Sequence, residues 1–138
     1  MQYKVNEFDP AIHEKWVALT LRQPDADYVS REVLQRSNGD WIACKSGLSF
    51  KFTTDYRGDI LICSAPGKEN SVHPTGVTCG LVELVSIEEV FDGEFLWTFR
   101  NPRRVIPYPA RGKAGRLWTY VCPKGEVTEY PRLVKLGE

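Results

Sequence analysis

Long apolar runs are missing from this chain. A membrane-spanning helix needs roughly 20 consecutive apolar residues, whereas the apolar stretches here are short pieces such as residues 60–63. Residues 1–8 also lack the apolar core and the small-residue cleavage site of an export signal. The sequence therefore predicts a cytoplasmic protein with no membrane partner.

Metal-binding and nucleophile motifs are missing as well. The four cysteines, Cys44, Cys63, Cys79 and Cys122, stand 19, 16 and 43 positions apart, which gives no close pair to clamp zinc or form a redox CxxC. Two isolated histidines suggest no metal site, and the serines have no nucleophile-elbow context. No GxGxxG, P-loop or HExxH spacing occurs. We expect buried reduced thiols, no metal and no cofactor.

Net charge is also missing, since 18 Lys and Arg balance 18 Asp and Glu. That balance excludes a uniformly basic nucleic-acid coat but leaves room for a local basic patch. Six Phe, six Tyr and four Trp argue against disorder. A chain of 138 residues without internal repeats can bury one sizeable core. We expect a single domain over residues 1–138.

The order of elements predicts the fold class. A β-rich segment at 16–21 ends before Pro24, and a helix with apolar residues at helical spacing follows from Asp25 to about Arg36. Short strands then follow, separated by glycines and prolines, and one helical turn is expected at 87–91. This order favours an α+β fold, a small β-barrel of about six strands with one or two flanking helices. The strands are expected at 41–44, 48–53, 59–65, 77–86, 94–99 and 116–121.

Charge is strongly separated along the chain. Residues 70–99 hold five acids and no Lys or Arg, and residues 100–116 hold six cations and no acid. Such separation creates a polar field on the folded surface unless the two segments lie against each other. The acids are Glu83, Glu88, Glu89, Asp92 and Glu94, and the cations are Arg100, Arg103, Arg104, Arg111, Lys113 and Arg116.

The stretch 101–118 interleaves cations with aromatic residues in a proline- and glycine-rich context. Arginine forks bind phosphate oxygens, and tyrosine and tryptophan rings stack on unpaired bases. The pattern therefore indicates single-stranded nucleic acid as a partner. The alternative is a solvated loop whose arginines pair with the preceding acidic segment. The candidates here are Arg103, Arg104, Tyr108, Arg111, Lys113 and Trp118.

Two more segments offer anion-binding groups. In the turn Tyr56-Arg57-Gly58, the tyrosine ring is a candidate stacking face for a base. The arginine is a candidate phosphate or carboxylate clamp, unless it pairs with Asp55 or Asp59 to fix the turn. Arg22 precedes the predicted helix, whose N-terminus could attract an anion. The nucleic-acid hypothesis requires that these side chains and the basic stretch meet around one hollow.

An enzymatic interpretation depends on Lys45, Lys51 and Glu83. A lysine desolvated near a carboxylate can transfer protons or activate a nucleophile. The alternative is that these side chains, placed on alternating strand positions, point to solvent.

Five segments together resemble an ASCH domain over residues 16 to about 122. They are Leu19 to Pro24, Tyr56 to Ile62, Gly80 to Val85, Trp97 to Arg104, and Gly112 to Trp118. The resemblance implies a PUA-like β-barrel with flanking helices and RNA binding in a cleft between barrel and helix.

The resemblance also sets the order of the functional hypotheses. Some ASCH-like proteins are amidohydrolases acting on acetylated cytidine, with a Lys-x-x-Thr pair and a distant Glu. Lys45 is followed by Leu48 at that spacing, whereas Lys51 precedes Thr54. RNA binding is therefore the first hypothesis. A metal-independent hydrolase acting on RNA or a modified nucleoside is the second, and a small-ligand or protein-binding module is the third.

Overall fold

The computed structural model describes residues 5–23, 25–30, 36–37, 40–42, 49–67 and 74–130. A 3₁₀ turn at Val5–Glu7 comes first. One short helix and seven strands follow: β1 (His13–Arg22), α1 (Asp25–Ser30), β2 (Arg36–Ser37), β3 (Asp40–Ile42), β4 (Gly58–Ala65), β5 (Thr78–Phe91), β6 (Glu94–Arg104) and β7 (Leu117–Pro123).

All seven strands belong to one mixed sheet with the order β2-β3-β6-β5-β4-β1-β7. β1 and β4 run parallel, and the other neighbours are antiparallel. A parallel pair needs a long crossover connection, and the segment that holds α1 provides it. The mostly β, α+β fold class is therefore confirmed.

Both faces of the central strands are buried, so β4 is an almost continuous apolar run from Ile60 to Cys63. Alternate side chains belong to two different core clusters. One cluster places α1 against the sheet and includes Leu19, Ala26, Val29, Ile60, Ile62, Val82, Trp97 and Phe99. The cluster on the other face includes Ala18, Leu61, Cys63, Leu81, Val105, Ala110, Tyr120 and Cys122.

The strands of the described chain do not close into a barrel. β2 and β7 are the two edges of the sheet, and β2 and β3 contain only two and three residues. The chain after β7 nevertheless turns back onto the end of β6. The amide of Ile106 donates to the Thr128 carbonyl and the amide of Tyr130 to the Arg104 carbonyl, both at 2.9 Å. Residues 128–130 thus form a few backbone hydrogen bonds with residues 104–106, whereas a closed barrel would have a continuous row of them between two strands.

The predicted helical turn at 87–91 is wrong, because these residues continue β5. Ile87 pairs with Trp97 and Phe91 with Glu94 across a tight turn at Asp92–Gly93, where Gly93 has a φ of 73°. β-Branched and aromatic residues that flank an Asp-Gly turn favour a hairpin, and this preference overrides the helix-forming glutamates between them.

Two other predicted boundaries also need correction. The predicted helix ends too late, since Arg36 lies in β2, and residues 31–35 are outside the described part. Of the predicted strand at 48–53, residue 48 lies outside the described part, and among residues 49–53 only Phe50 takes part in a bridge, which it forms with Phe95. Phe50 and Phe52 instead place their rings against Trp97.

Replacing Gly80 by Ala should destabilise the fold, because α1 crosses β5 at this residue. A Cβ there would lie 2.5 Å from the Arg103 carbonyl oxygen and 2.6 Å from the Ser30 Cβ. We expect a loss of about 1–3 kcal/mol from overpacking, measured as a lower urea midpoint. Ser86→Ala on the exposed part of the same strand should change stability by less than about 0.5 kcal/mol. Equal midpoints for both variants would contradict this packing.

Buried thiols should make the protein less stable at alkaline pH. Burial raises the pKa of Cys79 and of Cys122 to about 12 and raises that of Cys63 further. Unfolded thiols lose their protons near pH 8.5, so the folded state holds more protons above that pH and stability falls as pH rises. Urea titrations between neutral and alkaline pH test this. In Cys79→Ala, the free energy of unfolding should fall less steeply with pH than in the original protein, by up to about 1.36 kcal/mol per pH unit. The same slope in both proteins would contradict this prediction.

Candidate nucleic-acid interface

Two carboxylates face each other across the centre of the sheet. Asp59 of β4 and Glu83 of β5 are direct cross-strand partners, an arrangement that is repulsive without counter-charges. Two arginines of β6 supply those charges. Arg100 donates to Glu83 Oε2 at 2.7 Å, and Arg103 donates to Asp59 Oδ1 at 2.8 Å. These four residues form what we name the ion cluster.

A β-bulge makes the ion cluster possible. Side chains three positions apart on a regular strand point to opposite faces. Across β5, however, Glu83 pairs with Arg100 and Leu81 pairs with Arg103, so β6 carries one extra residue. Asn101 lies in this bulge with a φ of 54°. The extra residue puts both arginines on the face of the two carboxylates.

The two arginines of the cluster are committed to internal contacts. Arg103 is only 16% exposed and also contacts Glu129 at 3.7 Å and the Asn101 carbonyl at 3.0 Å. Arg100 donates a hydrogen bond to Glu83, and this bond holds the pKa of the Glu83 carboxyl below the ordinary value of a glutamate. The interpretation that the basic stretch pairs with the acidic segment thus describes Arg100, whereas Arg103 pairs with acids outside that segment.

The Tyr56-Arg57-Gly58 turn lies beside the ion cluster. Arg57 donates through Nη1 to the carbonyls of Thr54 and Tyr56, at 2.9 and 2.8 Å, so its bonds fix the turn through the backbone. The hydroxyl of Tyr56 donates to the Asp59 carbonyl at 2.7 Å, and burial raises the pKa of this phenol. The Arg57 side chain is exposed, but the Tyr56 ring is partly buried against the core.

Four exposed cations lie at the other end of β4; we name them the basic corner. Arg22 pairs with Ala65, the last residue of β4. The β1–β7 register, if continued, brings Arg22 level with the turn between Lys113 and Arg116. Arg111 lies over Gly76, whose amide bonds to the Ser64 carbonyl at the same end of β4. The basic corner is Arg22, Arg111, Lys113 and Arg116.

Trp118 anchors the loop of the basic corner from below. Its Nε1 donates to the Thr20 hydroxyl at 2.9 Å. Its ring lies against Gly112, where a Cβ would be 2.0 Å from a ring carbon, so only glycine permits this approach. Gly112 therefore covers one face of the Trp118 ring, and this face is not available for stacking on a base.

One exposed aromatic ring, that of Tyr108, lies on the segment 105–110, which leads away from Arg111 of the basic corner. The backbone of Tyr108 exchanges hydrogen bonds with Thr78, which leaves its ring at the surface. At the far end of the segment, the guanidinium of Arg104 lies 5.3 Å from the ring centre of Tyr130. Sequence reasoning did not select Tyr130 or Arg116. Arg116 belongs to the basic stretch, but no pattern marks Tyr130.

The predicted residues do not meet around one hollow. Gly58 and Ala65 are opposite ends of β4, seven residues or roughly 23 Å apart. The structure therefore places Tyr56 and Arg57 at one end of this strand, where the side chain of Arg103 reaches Asp59. Arg22, Arg111 and Lys113 lie at the other end, and Trp118, level with the middle of β4, directs its indole toward that end at Thr20.

The acid–base candidates are also separated. Lys51 is exposed next to Phe50, which bridges to Phe95 of β6, whereas Glu83 lies opposite Arg100 of the same strand. Phe95 and Arg100 are five positions apart on β6, or roughly 17 Å. Lys45 lies outside the described residues.

Within residues 5–130, as far as they are described, no three His, Cys, Asp or Glu side chains are arranged to hold a metal ion. The described helices include none that is long and apolar enough to cross a membrane. Searches for related proteins return no matching family model. They return no matching curated protein either.

The neighbouring arginines 103 and 104 should behave differently on replacement. Arg103→Ala leaves Asp59 facing Glu83 with one counter-charge fewer, so we expect a loss of about 1–3 kcal/mol in the free energy of unfolding. Arg104→Ala removes an exposed guanidinium that contacts the Tyr130 ring, and it should cost less than about 1 kcal/mol. Urea denaturation at neutral pH compares the two. Equal losses would mean that the ion cluster does not support the sheet.

Proposed function

We propose that this protein binds single-stranded nucleic acid at the basic corner, and that RNA is its ligand. The observation that carries the proposal is the sorting of the cations. Arg100 and Arg103 are neutralised in the ion cluster, whereas the four cations of the basic corner are exposed together at one end of β1 and β4. A concentrated group of exposed cations attracts a phosphate backbone and releases its counterions on binding.

The segment 105–110 provides a path for the strand beyond the basic corner. It leads from Arg111 past the exposed Tyr108 ring to the stacked Arg104 and Tyr130 pair, over seven residues of the chain. Aromatic rings along a basic path stack on successive bases with little sequence preference. We therefore assign phosphate contacts to the corner and base stacking to Tyr108 and Tyr130.

The resemblance to ASCH domains supports the same proposal. A PUA-like fold is consistent with the mixed sheet, with α1 packed against one face, and with the return of residues 128–130 onto β6. The partial closure distinguishes this chain from a complete barrel. An RNA ligand is what the family resemblance implies, and the basic corner is where this chain offers a surface for it.

The hydrolase hypothesis gains no comparable support. Glu83 forms an ion pair with Arg100 at 2.7 Å, and that hydrogen bond lowers the pKa of its carboxyl. Lys51 lies next to Phe50, which bridges to Phe95, five positions along β6 from the partner of Glu83. The binding function is therefore the one we propose.

Salt dependence should report how many cations bind phosphate. Four cations on a single strand predict a slope near −2.8 for log affinity against log salt. Fluorescence anisotropy with a labelled single strand of about a dozen nucleotides measures it, at several salt concentrations and with unrelated sequences. Affinity that stays flat across salt would refute binding at the basic corner.

Paired variants with equal charge change localise the contact. Arg22→Ala with Lys113→Ala should weaken binding to all sequences and reduce the slope by about 1.4. Arg57→Ala with Lys51→Ala removes the same charge away from the corner and serves as the matched control, with a much smaller effect expected. Equal losses for the two pairs would mean that only the overall charge matters.

A further inference from the structure

The β5–β6 hairpin extends beyond the rest of the sheet. The pairing of β4 with β5 ends at Gly58 and Leu84, while β5 continues to Phe91. In the described part of the chain, no strand pairs with residues 85–91 on the side where β4 would continue. We name this stretch the open edge. Such an edge offers backbone N–H and C=O groups to an added strand.

The tip of the open edge also carries exposed apolar side chains. Phe91 is 72% exposed and Val90 is 41% exposed, whereas Ile87 on the same strand packs into the core. A partner that covers this phenylalanine would remove its apolar surface from water, which favours binding. A strand added to this edge would pair with its free backbone groups and cover the phenylalanine ring.

Charge selects the partner. Glu88, Glu89 and Asp92 are exposed along the hairpin, and no Lys or Arg occurs in residues 70–99. A second copy pairing antiparallel along this edge would bring glutamates against glutamates, which is repulsive. A strand that carries Lys or Arg would have the complementary charge and the same backbone fit.

We propose that the open edge binds an extended basic segment of another protein by strand addition, with Phe91 as the apolar anchor. The edge ends 13 residues, or roughly 43 Å, along β5 from Thr78, which lies near the basic corner. The two surfaces can therefore be occupied at the same time. The proposal does not depend on nucleic-acid binding.

A synthetic peptide of alternating Lys and Val tests the proposal on the full chain. We expect saturable binding, with NMR shifts of the backbone amides concentrated in residues 85–91. Two further peptides separate backbone pairing from charge attraction. One has a central Val replaced by Pro, which removes a donor and blocks pairing, and the other has Glu in place of Lys. Both should bind at least tenfold more weakly.

Matched variants test the anchor. Phe91→Ser should weaken peptide binding about tenfold or more, while Ile12→Ser, which alters another exposed apolar residue, should leave it unchanged. Thermal melting checks that both variants fold, and Val90→Ser replaces Phe91→Ser if the latter does not. The proposal is overturned if no peptide binds, if the Pro peptide binds equally well, or if the two variants weaken binding equally. It is also overturned if sedimentation shows a dimer of this chain that Phe91→Ser dissociates.

Discussion

The repulsion between Asp59 of β4 and Glu83 of β5, which are paired directly across the sheet, is the constraint on which the charge pattern of this surface depends. Two carboxylates at directly opposed positions in the middle of a sheet repel each other. The bulge at Asn101 resolves that conflict by turning Arg100 and Arg103 to the same face. In doing so it divides the basic stretch into arginines that stabilise the sheet and cations that remain at the surface. The cations of the basic corner lie outside β6, at the end of β1 and in the loop before β7.

The sequence was sufficient for the parts of the fold that depend on local pattern. The apolar runs of β1 and β4 and the start of α1 at Asp25 were visible, because burial and helix capping leave periodic and positional marks. The hairpin at 87–91 was not visible, because glutamates within it favour helix while cross-strand pairing decides the outcome. The missing barrel closure depends on strand pairing, which no periodicity encodes.

The candidate site was only partly predictable for a similar reason. Sequence reasoning identified the correct residue types in the basic stretch, but it could not know that an extra residue in β6 would point Arg103 at Asp59. It treated Trp118 as a stacking face, whereas Gly112 occupies that face. It also expected Arg57 to join Arg22, although the two lie at opposite ends of one strand. In each case the deciding factor is register.

The contact between Trp118 and Gly112 has a practical consequence. An indole that lies directly beneath the loop of the basic corner will change its emission whenever that loop shifts or its surroundings lose water. The protein thus carries its own optical reporter within the surface assigned to ligand recognition. Titrations there need no dye, provided that the other three tryptophans of the chain are accounted for by substitution.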